Sequence, residues 1–203
     1  QGTASLPVVM KSSAGNQGDW GGLVLLGDAV TTEGVDATAE VGGFIYGGTN
    51  ASDSSGNIDY LIIKNAGAQI NADSQYNGLT LYAVGSGTSI NNLALVDGAD
   101  DGVEFFGGTV NTSYIVSTYN EDDQFDWTEG WIGTNTNWYG KISFGKGNRG
   151  IEADNFELGF ANTPLSNPTI NNITLVGPGA TASSGTYPEN DGLKLRRGTR
   201  GIL

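Results

Sequence analysis

Residues 101–108 read DGVEFFGG, and this short pattern recurs along the chain. Related segments are NGLTLY at 77–82, DQFDW at 123–127, RGIEAD at 149–154 and DGLKLR at 191–196. In each copy a turn position, usually glycine, precedes an apolar, a polar and a second apolar residue, and successive copies lie 22 to 42 residues apart. The alternation is typical of a strand, and a repeat of about 20 to 50 residues indicates a solenoid.

A second family of apolar segments alternates with the first. Its members lie at 60–64, 92–96, 113–117, 140–144 and 172–176. This order is expected when a chain coils and each turn adds one strand to each of several sheets. The long irregular stretches 155–168 and 177–190 are predicted to be loop insertions, which in a solenoid often lie on the binding side. Residues 28–41 are also predicted to be a loop, while 42–49 resemble the end of the first pattern.

Composition limits the function classes. The net charge is −13, and the chain has neither cysteine nor histidine. Disulfide, thiol and histidine chemistry are therefore excluded. Nucleic acids and anionic membranes are unexpected partners, since both need a basic surface. No apolar run is long enough to cross a bilayer as a helix. The acidity fits a soluble extracellular protein or one that binds cations.

We expect one domain over residues 1–203, forming part of a longer parent chain. The last residues, 201–203, are Gly-Ile-Leu and have no polar stop signal. Because a solenoid needs a cap at each end, we predict either further rungs or another copy or chain that covers the ends.

Stacking the copies predicts one candidate site. Alternate residues face the core, which leaves Glu104, Asp126 and Glu152 on the outer face in consecutive strands, about 4.8 Å apart. Neighbouring like charges are destabilising, so we expect either a bound Ca²⁺ or a carboxylate that keeps its proton. The candidate metal ligands are Asp101, Glu104, Asp123, Asp126, Glu152 and Asp154.

Two alternatives stay open for these acids. Arg149 and Lys194 lie in or beside the column and could neutralise it on an ordinary solvated sheet, or the acids and bases together could form an active site. A separate aromatic group, Trp131, Trp138 and Tyr139, is predicted to follow the strand at 125–127. Its members would either contact a sugar ligand or cover the core beneath a long loop.

Three segments carry a family resemblance: GDWGGLVLLG at 18–27, NGLTLYAVGSGT at 77–88 and DGVEFFGGTVN at 101–111. They resemble secreted proteins of the pectate-lyase-like superfamily, including uncharacterised bacterial surface lipoproteins. The resemblance implies an all-β, right-handed parallel β-helix with short turns, located outside the cell or on the outer-membrane surface. Fold alone does not fix function.

The expected function is a structural or glycan-binding module, stabilised by Ca²⁺. The alternative is a polysaccharide lyase or glycoside hydrolase that acts on an acidic polysaccharide. Lyases of this fold use a lysine or arginine as base while Ca²⁺ neutralises the uronate, which would assign Arg149, Lys194 and Arg196 to catalysis. No lyase motif of the family can be matched to this chain residue by residue.

Overall fold

The computed structural model describes residues 1–72, 74–179 and 191–203. This part of the chain contains sixteen strands and no helix that could span a membrane. The strands are β1 (Val8–Lys11), β2 (Leu23–Leu26), β3 (Ala37–Thr38), β4 (Ile45–Tyr46), β5 (Asn57–Lys64), β6 (Gln69–Asn71), β7 (Ser74–Gln75), β8 (Leu79–Tyr82), β9 (Ser89–Val96), β10 (Val103–Phe106), β11 (Asn111–Thr118), β12 (Phe125–Thr128), β13 (Thr134–Lys141), β14 (Ile151–Ala153), β15 (Thr169–Val176) and β16 (Leu193–Leu195).

Twelve of these strands form two parallel six-stranded sheets. The first sheet has the order β1-β5-β9-β11-β13-β15, and the second has the order β16-β14-β12-β10-β8-β2. Because the chain passes alternately from one sheet to the other, each circuit adds one strand to both. This is the coil predicted from the two alternating families of segments, and the prediction of an all-β parallel β-helix is confirmed.

The strand register of the second sheet agrees with the repeat. Val103 pairs with Leu79 and Phe125, and Phe105 pairs with Leu81 and Trp127. The same two inward columns continue through β14 and β16 and begin with β2, which the repeat had not included. The inward columns are Leu23, Leu79, Val103, Phe125, Ile151 and Leu193, and Leu25, Leu81, Phe105, Trp127, Ala153 and Leu195.

The long strands of the first sheet each bend at their fourth residue. Tyr60, Asn92, Tyr114, Asn137 and Asn172 occupy this position in β5, β9, β11, β13 and β15, with φ between 50° and 61°. Positive φ is uncommon outside glycine, and asparagine tolerates it better than most residues. Since the five residues stack in one column, every turn of the coil changes direction at the same place.

Aromatic side chains fill the widest part of the core. The ring of Phe105 stacks on Trp131 with centroids 3.8 Å apart, and Phe125 stacks on Trp138 at 4.4 Å. The indole N–H of Trp138 donates to Thr112 Oγ1 at 2.8 Å. Small residues opposite the rings make room for them: a Cβ on Gly140 would lie 3.0 Å from the ring of Phe125.

One detail of the sequence prediction is wrong. Of the segment predicted as a strand at 140–144, only the first two residues belong to β13, which begins at Thr134 and ends at Lys141. The register explains the difference, because Gly140 pairs with Ser117 and Leu175 near the end of each strand. Residues 42–49, whose sequence resembles the end of the first pattern, contribute β4, which pairs antiparallel with β3 and not with the two large sheets.

Residues 27–56 leave the coil between β2 and β5, and we call them the N-terminal excursion. Its buried residues Ala39 and Tyr46 pack against Tyr82 and Phe106 on the outer face of the second sheet. The ring of Tyr82 stacks on Phe106 at 4.4 Å, and its hydroxyl accepts the Val41 N–H at 3.4 Å. This face, which was expected to be solvated, is therefore partly covered.

A second excursion, residues 155–168, follows β14. The buried Asn155 holds it in place, because its amide donates to the Phe160 and Asn162 carbonyls at 3.1 and 3.0 Å. The hydroxyl of Thr32 in the N-terminal excursion donates to the Pro164 carbonyl at 2.7 Å. The two excursions are thus joined above the second sheet. Most of the other predicted insertion, 177–190, lies outside the described residues.

The inward columns become exposed at the β16 end. Leu193 and Leu195 are 36% and 54% exposed, although their partners Ile151 and Ala153 are fully buried. The partner expected to cover this end stays a prediction.

Removing the central ring tests the stacked aromatic core. Phe105→Ala should lower the free energy of unfolding by about 3–5 kcal/mol, the usual cost of deleting a buried phenylalanine. The measurement is denaturant unfolding followed by tryptophan fluorescence. Phe144→Ala is the matched control, because Phe144 is 68% exposed. Equal losses in the two variants would contradict the assigned core.

Candidate functional site

The outer face of the second sheet forms the floor of a cleft, and the two excursions form its walls. The cleft has a volume of about 350 Å³. Its lining is dominated by charged residues. They are Glu33, Glu40, Glu104, Asp126, Glu129, Asp154, Glu157, Arg196 and Arg197. We call this the acidic cleft.

Two members of the predicted acidic column, Glu104 and Asp126, lie on the floor of the cleft. Glu104 pairs in register with Asp126, and Asp126 pairs in register with Glu152. The neighbours at each end of the column are Thr80 and Lys194. Glu152 is only 7% exposed, and Glu104 and Asp126 are partly buried. The side-chain amide of Asn77 donates to Glu104 Oε2 at 2.7 Å. The column is therefore more deeply buried than an ordinary solvated sheet would allow.

Acids from the turns that precede the strands extend the column. Asp101 and Asp123 are 6% and 2% exposed, and the Asp123 N–H donates to Asp101 Oδ1 at 2.8 Å. Three groups of carboxylates each offer oxygens within 4.8 Å of one another, the usual arrangement of ligands around a cation. The groups are Asp100, Asp101 and Asp122; Asp101, Glu104 and Asp126; and Asp123, Asp126 and Glu152.

Burial and mutual repulsion disfavour the charged form of these acids. Burial raises the pKa of Asp101, Glu104 and Asp126 well above the usual carboxyl range, and the neighbouring carboxylates raise it further. The same causes raise the pKa of Asp123 to about 8 and that of Asp100 to about 7. Near neutral pH these carboxyls must either hold protons or be neutralised by a cation.

Arginines neutralise one end of the column. Arg149 is buried and its Nη1 lies 2.5 Å from Glu152 Oε1 and 3.5 Å from Asp123 Oδ2. Arg196 contacts Glu152 and holds Asp154 with two hydrogen bonds of 2.6 and 2.8 Å. Of the six predicted ligands, Asp123, Glu152 and Asp154 thus form ion pairs, whereas Asp101, Glu104 and Asp126 have no cationic partner within 4.0 Å among the described residues.

The unneutralised end fits a hard cation. Ca²⁺ takes six to eight oxygen ligands at about 2.3–2.6 Å in flexible geometry, and Asp101, Glu104 and Asp126 supply carboxylate oxygens only. Five buried side-chain oxygens along the acidic column and its turns accept no hydrogen bond, one each on Asn77, Asp122, Asp123, Asp126 and Glu152. Among the predicted ligands, Asp154 lies outside the three groups, and Arg196 and Arg197 occupy both of its oxygens.

The predicted catalytic cations occupy the arginine end. Arg149 lies beneath the surface with a side chain only 6% exposed, and Lys194 continues the outward column next to Glu152. The side chain of Arg196 is 31% exposed and lines the cleft. Although burial alone would lower the pKa of Arg196, the hydrogen bonds to Asp154 and the charges of Glu152 and Asp154 raise it. The structure therefore makes Arg196 a weak candidate for a base.

The three predicted sugar contacts do not form one exposed surface. Trp131 and Trp138 are 0% and 2% exposed and belong to the core, so the prediction that they stack on a ligand is wrong. Their rings fill the coil because the stacked register of β13 turns Trp138 inward with Ile115 and Ile173. Tyr139 is partly exposed on the first sheet, on a different face from the acidic cleft.

Sequence reasoning missed Glu129 and its partners. The Tyr46 hydroxyl donates to Glu129 Oε2 at 2.6 Å, and the Thr31 hydroxyl donates to the same oxygen at 3.0 Å. Burial raises the pKa of Glu129 to about 7 despite these hydrogen bonds. Since Tyr46 and Thr31 come from the N-terminal excursion, no repeat position could have placed them beside Glu129.

The raised pKa values predict how stability depends on pH in cation-free protein. In the unfolded chain the carboxyls ionise near pH 4, whereas in the folded chain Asp100 and Asp123 keep their protons until about pH 7 and 8. The unfolded chain then binds fewer protons over this interval, so the free energy of unfolding should fall as the pH rises from about 4 to about 8. We expect a loss of at least about 1.4 kcal/mol, measured by urea unfolding in EDTA.

Removing one charge should reduce this loss. Asp126→Asn relieves the repulsion among the buried carboxylates, so it should stabilise the cation-free protein at pH about 8 more than at pH about 5. Asp28→Asn, at an exposed aspartate outside the cleft, is the control, and its free energy of unfolding should depend on pH in the same way as that of the unmodified chain. A pH-independent free energy of unfolding in the unmodified chain would contradict the assignment.

Comparison with known proteins agrees with the architecture. No curated protein and no solved structure matches the chain. A family model described as "Pectate-lyase like beta helix domain" matches residues 1–203. The two stacked parallel sheets, the in-register columns and this match over the full sequence lead to one conclusion: the chain belongs to the pectate-lyase-like β-helix family.

Proposed function

We propose that this protein is an extracellular or cell-surface β-helix module that binds acidic polysaccharide through Ca²⁺ held in the acidic cleft. The observation that carries the proposal is the convergence of the Asp101, Glu104 and Asp126 carboxylates, which have no cationic partner among the described residues. Glu104 and Asp126 line the cleft, and Asp101 is buried beside them. A cation there would relieve their repulsion and allow all three to ionise.

The charge of the cleft favours a bridging cation over direct binding of an anion. Seven of the residues that line it are acidic and two are basic, and both arginines already contact Asp154. A uronate would be repelled by such a surface. A Ca²⁺ ion on the column would offset two of the three carboxylate charges and keep coordination positions through which a substrate carboxylate could bind the ion directly.

The calcium affinity typical of extracellular modules, the net charge and the lack of cysteine are all compatible with a site outside the cell. Calcium sites in extracellular modules bind at about 10⁻⁴–10⁻³ M, and the net charge of −13 keeps the protein soluble there. The absence of cysteine poses no difficulty, since strand ladders hold a solenoid together. Binding another copy or chain at the coil ends remains a compatible structural role.

Calcium binding can be tested by thermal unfolding at pH about 8. At a Ca²⁺ concentration about 100 times the dissociation constant, the ion should raise the free energy of unfolding by about 2.7 kcal/mol and the melting temperature by roughly 5–10 °C. The shift should shrink at pH about 5, where protons compete for the carboxylates. It should disappear in Asp126→Asn and persist in Asp28→Asn. An equal shift in both variants, or none in the unmodified chain, would refute the site.

Glycan binding is tested separately by titrating calcium-loaded and EDTA-treated protein with polygalacturonate and alginate oligosaccharides in a calorimeter. We expect heat of binding only with Ca²⁺, and unaltered oligosaccharides at the end of the titration. Stabilisation by Ca²⁺ without glycan binding would indicate a purely structural calcium site and would contradict the proposed polysaccharide ligand. Binding that survives EDTA would reject the bridging role of the ion.

A polysaccharide lyase is the second candidate, because Arg196 and Arg197 line the same cleft as the acids. Lysis should create an unsaturated product with ultraviolet absorbance, and Lys194→Ala or Arg196→Ala should abolish it. A glycoside hydrolase would instead release reducing ends without that absorbance, using two carboxyls of the column. Formation of either product would show that the protein is an enzyme and not only a binding module.

A further inference from the structure

A second surface with different chemistry lies on the first sheet and consists of the column of bending residues and the two outward columns that precede it along each strand. Three adjacent outward columns make up this surface, and we call them the polar strip. The columns are Asn57, Ser89, Asn111, Thr134 and Thr169; Asp59, Asn91, Ser113, Thr136 and Asn171; and Tyr60, Asn92, Tyr114, Asn137 and Asn172.

The polar strip is almost uncharged, although the chain carries 22 acidic residues. Asp59 is its one ionisable acid among the described residues, and the Asn92 amide donates to Asp59 Oδ1 at 2.9 Å. All other positions in the three columns are serine, threonine, asparagine or tyrosine. A partner for this surface must therefore be electrically neutral and rich in hydrogen-bonding groups.

Depressions follow the strip along the coil axis. A polar depression of about 360 Å³ is lined by Ser89, Asn91, Asn111, Ser113, Thr134 and Thr136. Beside it, two more apolar depressions of about 260 and 370 Å³ share Tyr114 and Val116 as a common wall. Tyr139 lines the first of these and Tyr60 lines the second. The side chain of Tyr114, 58% exposed, stands between them.

Several polar groups of the strip are held in place before any ligand binds. The Asn91 amide donates to Ser89 Oγ at 2.7 Å, and the Ser113 hydroxyl donates to Asn91 Oδ1. The Asn172 amide donates to Asn137 Oδ1 at 2.5 Å. Because these hydrogen bonds already fix the side-chain rotamers, the protein would lose little side-chain entropy on binding a ligand.

The spacing of the strip matches a linear repeating ligand. Rungs are about 4.8 Å apart, which is close to the length of one hexose in an extended chain. Tyr60 and Tyr114 lie two rungs apart, with Asn92 between them. Tyrosine presents a flat apolar face with a polar tip, suited to the C–H face and hydroxyls of a sugar ring. A chain along the axis would meet one hydrogen-bonding position at every rung.

We propose that the polar strip binds a neutral β-linked polysaccharide in extended form, without Ca²⁺. Tyr114 stacks on a sugar ring, Tyr60 and Tyr139 contact the rings at either side, and the serine, threonine and asparagine columns bind the hydroxyls. This surface is independent of the acidic cleft, so a protein that carries both could hold an acidic and a neutral polysaccharide at once.

The test uses the full chain in EDTA and measures its retardation in native gels that contain soluble β-mannan, β-glucan or xylan. We expect retardation by at least one of these polymers. Tyr114→Ala should weaken it about tenfold, as expected when a stacked aromatic contact is lost. Val116→Arg, which places a charge and bulk on the wall of both apolar depressions, should weaken it as well.

Tyr119→Ala is the matched control. Tyr119 is also exposed, at 40%, and also has positive φ, at 65°, but it lies outside the three columns. Its substitution should leave retardation unchanged. Equal losses in Tyr114→Ala and Tyr119→Ala, retardation that requires Ca²⁺, or no retardation by any neutral polymer would overturn the proposal. The proposal would also be overturned if the protein dimerised through this face, or arrested ice growth, and bound none of the polymers.

Discussion

In-register hydrogen bonding between parallel strands is the constraint on which the rest of this structure depends. Because each strand of a sheet pairs residue for residue with the next, any position of the repeat becomes a column along the coil. Apolar positions such as Leu81, Phe105 and Trp127 then form a continuous core. The same pairing forces residues to be neighbours whether or not their side chains attract one another, as Glu104, Asp126 and Glu152 demonstrate.

The acidic column therefore stores unfavourable electrostatic energy in a fold that is otherwise well satisfied. Burial beneath the two excursions increases the cost, since it removes water that would screen the carboxylates. At one end Arg149 and Arg196 offset the charge through ion pairs. At the other end Asp101, Glu104 and Asp126 depend on protons or on a cation. A site that is costly when empty of cations is well suited to bind one, which links the stability of the coil to its proposed function.

Because polar and charged residues lie on different sheets, the two proposed kinds of recognition would use separate surfaces. The second sheet presents buried carboxylates inside a walled cleft, and its proposed ligand reaches it through Ca²⁺. The first sheet is open and nearly neutral, and its bend column alternates tyrosine with asparagine at Tyr60, Asn92 and Tyr114. Both surfaces run along the coil axis, because columns can only extend in that direction. A long polymer is the type of ligand that such a molecule can contact at many successive rungs.

The sequence by itself determined the coil, the two inward columns and the adjacency of Glu104, Asp126 and Glu152, because the copies share one period-2 pattern that aligns residue for residue even though the intervals between them vary. It could not determine the burial of that column, since the covering residues, such as Tyr46 and Phe156, come from excursions with no repeat. It left open whether Trp131 and Trp138 contact a ligand or cover the core, because alternation is read from a strand boundary and β13 begins earlier than the pattern indicated, which turns Trp138 inward. The division of the acids between arginine partners and a cation was likewise decided by tertiary structure, since Arg196 reaches Glu152 and Asp154 only after the chain has completed a further turn.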